Sequence, residues 1–303
     1  MSITLTILGT SAALPSYGRK LSAHLLEING HSLLFDCGEG TQFQLRKYKK
    51  NLNKVSAILI SHLHGDHFFG LPGLLSSMQM MDRTNTIDIY GPLGIKEAVL
   101  AMLFTSRSEY SFQINFHIVE AKTRIELFNN SDYKIYTFPL KHSVETYGYL
   151  FKMNTPLLNI KKDFIKKHDI TIDQIKAVKL GADFIDNNGK VHYNKDITMT
   201  PKDGFSYAYC SDTVFFKGIA KWIKGVNILY HETTYLEIDS ENAESRLHST
   251  AKQAAQIAKL ANAKTLLLGH YSGRYKELES FKTEAQEIFQ SVVIGREGMV
   301  LEG

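Results

Sequence analysis

Cysteine is scarce in this chain. Its 303 residues include two, Cys37 and Cys210, and neither belongs to a C-x-x-C pair. That argues against a disulfide scaffold and a thiolate-based structural zinc site, and makes a cytoplasmic protein with reduced thiols the expectation. Long apolar runs are missing too: no stretch approaches the roughly 20 residues that would span a bilayer. The opening "MSITLTILGTSAALP" lacks the basic start and long apolar centre of a secretory signal. It reads instead as a strand and a turn. Charge of one sign is not dominant either, since a net charge of +4 and a pI near 8.8 are too mild to argue by themselves for a nucleic-acid partner. What remains is an ordinary globular balance, 44% hydrophobic and 22% charged, at a length that fits one large α/β domain or two small ones.

The periodicity predicts strands alternating with helices. "ITLTIL" (3–8), "HLLEI" (24–28) and "HSLLF" (31–35) read as strands, "TQFQLRKYK" (41–49) as a helix, and "VSAILIS" (55–61) as a fully buried strand. A second half begins near "FSYAYCSD" (205–212). It continues through "VNILYHE" (226–232), the Ala-rich helix "TAKQAAQIAKLANA" (250–263) and the strand "TLLLGH" (265–270). Residues 152–202 differ, with ten lysines, no glutamate and the turn-like "DNNGK" (186–190). They read as an excursion from the core, and long insertions in compact domains are often functional.

Chemistry concentrates in "ILISHLHGDHFFG" (58–70), which crowds His62, His64, Asp66 and His67 just beyond a buried strand. Open α/β sheets bind ligands outside the carboxyl ends of their strands. Five expected strands run out onto His62, His142, Asp212, His231 and His270. Imidazole and carboxylate without thiolate suit Zn²⁺, and a catalytic zinc needs about three protein ligands and an open position. His62, His64, His67, His142 and His270 with Asp66 and Asp212 are enough donors for two ions sharing one carboxylate. Two such cations and two carboxylates leave a net positive centre suited to a singly charged phosphodiester, though a β-lactam or thioester could be hydrolysed by the same core. His24, His31, His117, His168 and His192 lie outside this pattern and read as structural or surface groups. Phe68, Phe69 and "LLSSMQMM" read as core packing beneath the loop, and Cys37 as a small buried residue.

His62-x-His64-x-Asp66-His67 with His142, Asp212 and His270 resembles the metal motif of the metallo-β-lactamase superfamily, whose αββα sandwich the strand–helix order fits. Within it the chain is similar from end to end to the ribonuclease Z (tRNase Z, zinc phosphodiesterase) family. The stretches that carry the likeness are "LGTSAALPS", "DCGEGTQ" (36–42), "SHLHGDHFFGLPGLL" (61–75), "HSVETYGY" (142–149), "YCSDT" (209–213), "HETTY" (231–235), "HSTAKQAA" (248–255) and "LLGHYSGRY" (268–275).

The resemblance implies a single domain over 1–303 that binds two Zn²⁺ per chain. One ion would sit on His62, His64 and His142, the other on Asp66, His67 and His270, with Asp212 bridging. It implies Asp66 as proton acceptor from the attacking water, His248 as general acid toward the leaving ribose oxygen, and Glu232 as the group orienting it. The plain alternative for His248, just ahead of a helix, is capping. Residues 152–202 would be a flexible arm gripping tRNA, with Lys161, Lys162, Lys166 and Lys167 directed at phosphates. The chain departs from the family in having "LGADFIDNNGK" where a glycine–proline element often marks the arm, and Lys20 where asparagine is common. The implied activity is removal of the 3′ trailer from precursor tRNA by a cytoplasmic homodimer, leaving a 3′-hydroxyl on the tRNA and a 5′-phosphate on the trailer. The rivals are a hydrolase of small phosphodiesters or sulfate esters and an RNA-binding module without catalysis.

Overall fold

A computed structural model describes residues 3–104, 110–154, 157–199 and 204–303. It divides into two compact units, one of Met1–Asn129, Lys134–Phe151 and Phe205–Gly303, the other of Asn130–Tyr133 and Lys152–Gly204.

The larger unit holds two seven-stranded sheets. In the first, Ile3–Gly9, Ala23–Ile28 and His31–Phe35 run antiparallel, and from His31–Phe35 the ladder turns parallel through Val55–Leu59, Ile87–Gly91 and Ile114–Ile118. In the second, Ser206–Cys210, Ile228–Glu232, Thr265–Gly269 and Val292–Ile294 are parallel. Parallel strands need cover on both faces, which is why their sequences are apolar throughout rather than alternating. Aromatic rings fill the space between the sheets. Phe35 meets Tyr149, Tyr207 and Tyr209, and the edge of His24 meets Tyr209 and Tyr230, while its Nδ1 lies 2.6 Å from the Tyr207 hydroxyl.

Helices cover the outer faces. Leu71–Met80 and Ile95–Phe104 pack on the first sheet through Leu71, Leu74, Leu75, Met78, Ile95 and Val99. Ala251–Leu260 packs on the second through Ala251, Ala254, Ala255, Ile257 and Ala258, small residues that let helix and sheet approach closely. Each large apolar side chain so buried contributes about 1.5–3 kcal/mol. Thr250 caps that helix in a reciprocal box with Gln253, so His248 is not the cap. The expected core beneath the histidine loop is only partly present. Phe68, Leu74, Leu75 and Met78 are buried, whereas Phe69, Met80 and Met81 are exposed at the C-terminal ends of their short helices, Phe69 and Met81 as the C-caps.

The smaller unit has its own small core of Ile160, Val178, Phe184 and Ile197. Helices Lys162–Lys167 and Ile172–Lys179 and two two-stranded ladders, Asn159–Ile160 with Thr198–Met199 and Phe184–Ile185 with Val191–His192, build it. Of the 152–202 stretch, positions 155, 156 and 200–202 lie outside the described residues.

Candidate metal centre

Strand ends aim the candidate ligands at one rim of the larger unit. Val55–Leu59 leads to His62, Tyr133–Pro139 to His142, Ser206–Cys210 to Asp212, and Thr265–Gly269 directly to His270. His64 is the N-cap of a four-residue helix, Gly65–Phe68, that carries Asp66 and His67. Glycine makes this loop possible. A Cβ on Gly38 would lie 2.6 Å from the Asp66 carbonyl oxygen, and one on Gly70 2.1 Å from that of Gly38. His270 itself takes a left-handed φ of 60°, as does Asp36 at 55°, strain of a kind that accumulates at functional sites.

Two donor groups result, and within each the ligand atoms lie within 4.8 Å of one another: His62, His64, His142 and Asp212, and Asp66, His67 and His270. Asp212 faces both. Its Oδ1 is 3.4 Å from His67 Nε2 and 3.2 Å from His270 Nε2, while its Oδ2 is 3.7 Å from both His62 Nε2 and His142 Nε2. Asp66 Oδ2 lies 3.4 Å from His67 Nε2 and 3.5 Å from His270 Nε2, and those two nitrogens are 3.3 Å apart. Donors held about 2.1 Å from one tetrahedral cation stand roughly 3.4 Å from each other. The residues present therefore fit a metal.

Electrostatics point the same way. Burial opposes charge on His67, yet Asp212, Asp66 and Asp36 around it raise its pKa well above that of an ordinary histidine. The space between these carboxylates favours a positive charge. Burial pushes His62 and His142 down, toward the neutral imidazole a metal requires. His62 Nε2 is buried with no hydrogen-bond partner among the described residues.

Two buried carboxylates outside the ligand set fix the ring orientations. Asp36 Oδ2 accepts from His67 Nδ1 at 2.7 Å, from Tyr209 Oη at 2.7 Å and from Ser61 Oγ at 2.8 Å. Ser61 Oγ, its proton thus committed, accepts from His62 Nδ1 at 3.0 Å. One carboxylate so leaves Nε2 as the metal-facing nitrogen on two histidines. Glu232 plays the same part on the other side. Its Oε1 accepts from His248 Nδ1 at 2.9 Å and from the amides of Thr213 and Ser249. Its Oε2 accepts from Thr234 Oγ1 at 2.6 Å, and that hydroxyl in turn accepts from His270 Nδ1 at 2.9 Å. His142 Nδ1 donates to the Leu247 carbonyl at 2.9 Å.

Composition and periodicity assign no role to Asp36, Ser61 or Thr234. The available signal is position, since Asp36 follows a strand within "DCGEGTQ" and Thr234 lies inside "HETTY". His231 does not join the centre. It lies inside its strand, donates Nδ1 to the Glu232 carbonyl and is fully buried.

The centre opens into a cavity of about 580 Å³ lined by His64, Asp66, His142, Asp212, His248 and His270, with Arg246 and Arg274 also on its wall. Burial opposes the charged form of His248, but the Glu232 carboxylate raises its pKa to about 9.

Facing sheets that deliver imidazoles and carboxylates to one rim are the mark of the metallo-β-lactamase fold, and this chain is a metal-dependent hydrolase of that fold. It is 42% identical over 299 residues to a ribonuclease Z of Cytophaga hutchinsonii, covering 98% of this chain and 95% of that protein. A ribonuclease Z of Parabacteroides distasonis is 36% identical over 297 residues, with 98% of each chain covered. Among solved structures, the short form of human tRNase Z superposes with a TM-score of 0.72 at 28% identity, covering 98% of both chains. Residues 3–185 match the family model described as Anti-Pycsar protein Apyc1, a match that stops before Asp212, Glu232, His248 and His270. The chain belongs to the ribonuclease Z family, and over residues 3–185 also to that of Apyc1.

Proposed function

We propose that this protein is a zinc-dependent endoribonuclease that cuts the 3′ trailer from precursor tRNA, leaving a 3′-hydroxyl on the tRNA and a 5′-phosphate on the trailer. The observation that carries the reading is His248. It stands on the cavity wall beside the donor set, locked by Glu232 and already inclined to hold a proton. A ribose 3′-oxygen leaves poorly without a proton, so such a residue suits RNA cleavage.

In this reading His62, His64 and His142 would hold one Zn²⁺ and Asp66, His67 and His270 a second, with Asp212 available to both. When bound, the pair supplies Lewis-acid activation of water and charge neutralisation at phosphorus. The chain's own residues do the rest. Asp66, whose Oδ2 also accepts the Ala13 amide at 2.8 Å, takes the proton of the attacking water. With its Nδ1 committed to Glu232, His248 presents Nε2 to the cavity and delivers its proton to the leaving 3′-oxygen. Arg246 supplies positive charge for a flanking phosphate, whereas Arg274 is already paired with Asp239.

End-mapping the products of purified protein on a 3′-extended precursor tRNA tests this directly. One cut after the discriminator base is expected. Cleavage scattered along the chain would reject the single 3′ cut, and no cleavage beside rapid turnover of small diesters would favour the rival small-ester hydrolase.

The smaller unit, in this reading, is a tRNA-binding arm and the active species a cytoplasmic homodimer. No helix among the described residues is long and apolar enough to cross a membrane. Lys161, Lys162, Lys166 and Lys167 are all exposed along one short segment. Replacing the four with alanine should weaken tRNA binding and reduce its salt slope by roughly one for each phosphate no longer neutralised, with small-diester turnover intact. An unchanged slope would reject the arm's role. Sedimentation of the free protein should give twice the 34.3 kDa chain mass, and a monomer would reject the dimer.

A further inference from the structure

A separate set of donors lies wholly inside the smaller unit. His168 is the C-cap of the helix Lys162–Lys167, Asp186 follows the strand Phe184–Ile185 at a hairpin turn, and His192 ends the returning strand Val191–His192. One ligand atom from each lies within 4.8 Å of the other two. His192 Nε2 is 3.0 Å from Asp186 Oδ2, and the two imidazole centroids are 4.7 Å apart. Sequence reading leaves both histidines as structural or surface groups.

The geometry points to a divalent metal site here, of zinc type, that ties the helix to the hairpin. Two imidazoles and a carboxylate without thiolate suit that ion, with a fourth position open to water. Each donor is held in place by something other than a metal. The turn fixes Asp186, whose Oδ1 accepts the amides of Asn188 at 2.9 Å and Lys190 at 3.1 Å, so Oδ2 is the oxygen turned toward the histidines. Gly189 at φ 78° closes that turn. Rings place His168, with Phe164 4.3 Å away by centroid and Phe184 5.9 Å away. Neither of its nitrogens has a hydrogen-bond partner among the described residues. An ordinary His192–Asp186 ion pair involves two of the three residues, while a metal would use the third donor that lies within reach of both.

Size supplies the physical motive. Among the described residues the unit's apolar cluster is Ile160, Val178, Phe184 and Ile197, backed by the partly buried Phe164, Ile170 and Ile175, a small core for a fold of this length without a cross-link. A metal joining residues 168, 186 and 192 would hold together the segments that carry Lys166, Lys167 and Lys190. Because none of the three donors belongs to the catalytic donor set and the readouts are zinc content and hydrogen exchange, the proposal stands whatever reaction that centre performs.

The test compares full-length wild type with His168→Ala/His192→Ala and Asp186→Asn, each saturated with ZnCl₂, desalted and analysed for zinc. Both variants should bind one ion fewer per chain than wild type. Hydrogen exchange over residues 159–199 should be slowed by added zinc in wild type and indifferent to it in the variants. Equal zinc content in all three proteins would overturn the site. Should a variant fail to fold, zinc-edge anomalous diffraction from wild-type crystals decides: a peak bonded to all three side chains upholds the site, and none there overturns it.

Discussion

Asp212→Ala should empty the catalytic centre and abolish turnover together. Among the described residues the Asp212 carboxylate is the one group whose two oxygens face opposite donor sets, His67 and His270 on one side, His62 and His142 on the other. Removing it takes an anionic donor from both sets and leaves Asp66 as the remaining carboxylate of the proposed ligand set to offset the charge of two cations. The expected readings are metal content far below that of wild type by elemental analysis and a rate loss of roughly three orders of magnitude or more, as the cations supply several kcal/mol of charge stabilisation. A fully metallated, active Asp212→Ala protein would sink the shared-carboxylate arrangement. Asp36→Asn makes an informative companion. It leaves every proposed ligand present but places an amide among donors that all point at a carboxylate, so metal affinity should fall roughly 10- to 100-fold. Unchanged affinity would mean that Asp36 only packs.

His248→Ala should separate proton delivery from metal binding. Thr250 rather than His248 caps the following helix, and His248 Nδ1 is committed to Glu232. The variant should keep its full metal complement and lose about 10²- to 10⁴-fold on precursor tRNA. On bis(p-nitrophenyl) phosphate the loss should be far smaller, because nitrophenolate leaves without help. Equal losses on both substrates would remove the general-acid role. A drop in metal content would instead make His248 a ligand, a geometry open to it because its ring, Asp212 and His270 form a third compact donor group. Glu232→Ala should do more than mimic this loss. Through Thr234 the same carboxylate orients His270, so both proton delivery and metal affinity should suffer.

The sequence by itself determined a great deal here, because the features concerned are local. Strand period, helix composition and the close spacing of His62, His64, Asp66 and His67 survive any folding of the rest, and "DCGEGTQ" and "HETTY" identify the family without coordinates. Buried parallel strands announce themselves as apolar runs, and a catalytic residue at a strand end follows from how open sheets bind ligands.

Tertiary structure alone decided which strand-end histidines meet. His231 and His270 both fall at the ends of apolar runs of the second sheet, yet His231 stays inside its strand and His270 turns out just past its own at a left-handed φ, a difference of backbone direction that residue type does not carry. The same holds for the groups that orient the ligands. Asp36 reaches Tyr209 from 173 residues away and Glu232 reaches His248 across 16, contacts created by sheet packing rather than by spacing. Phe69, Met80 and Met81 look like core by composition and lie exposed, since hydrophobicity states only a preference and these three fall at helix ends. His168, Asp186 and His192 lie at three scattered positions in a lysine-rich stretch, and only the fold of the smaller unit brings them to one point.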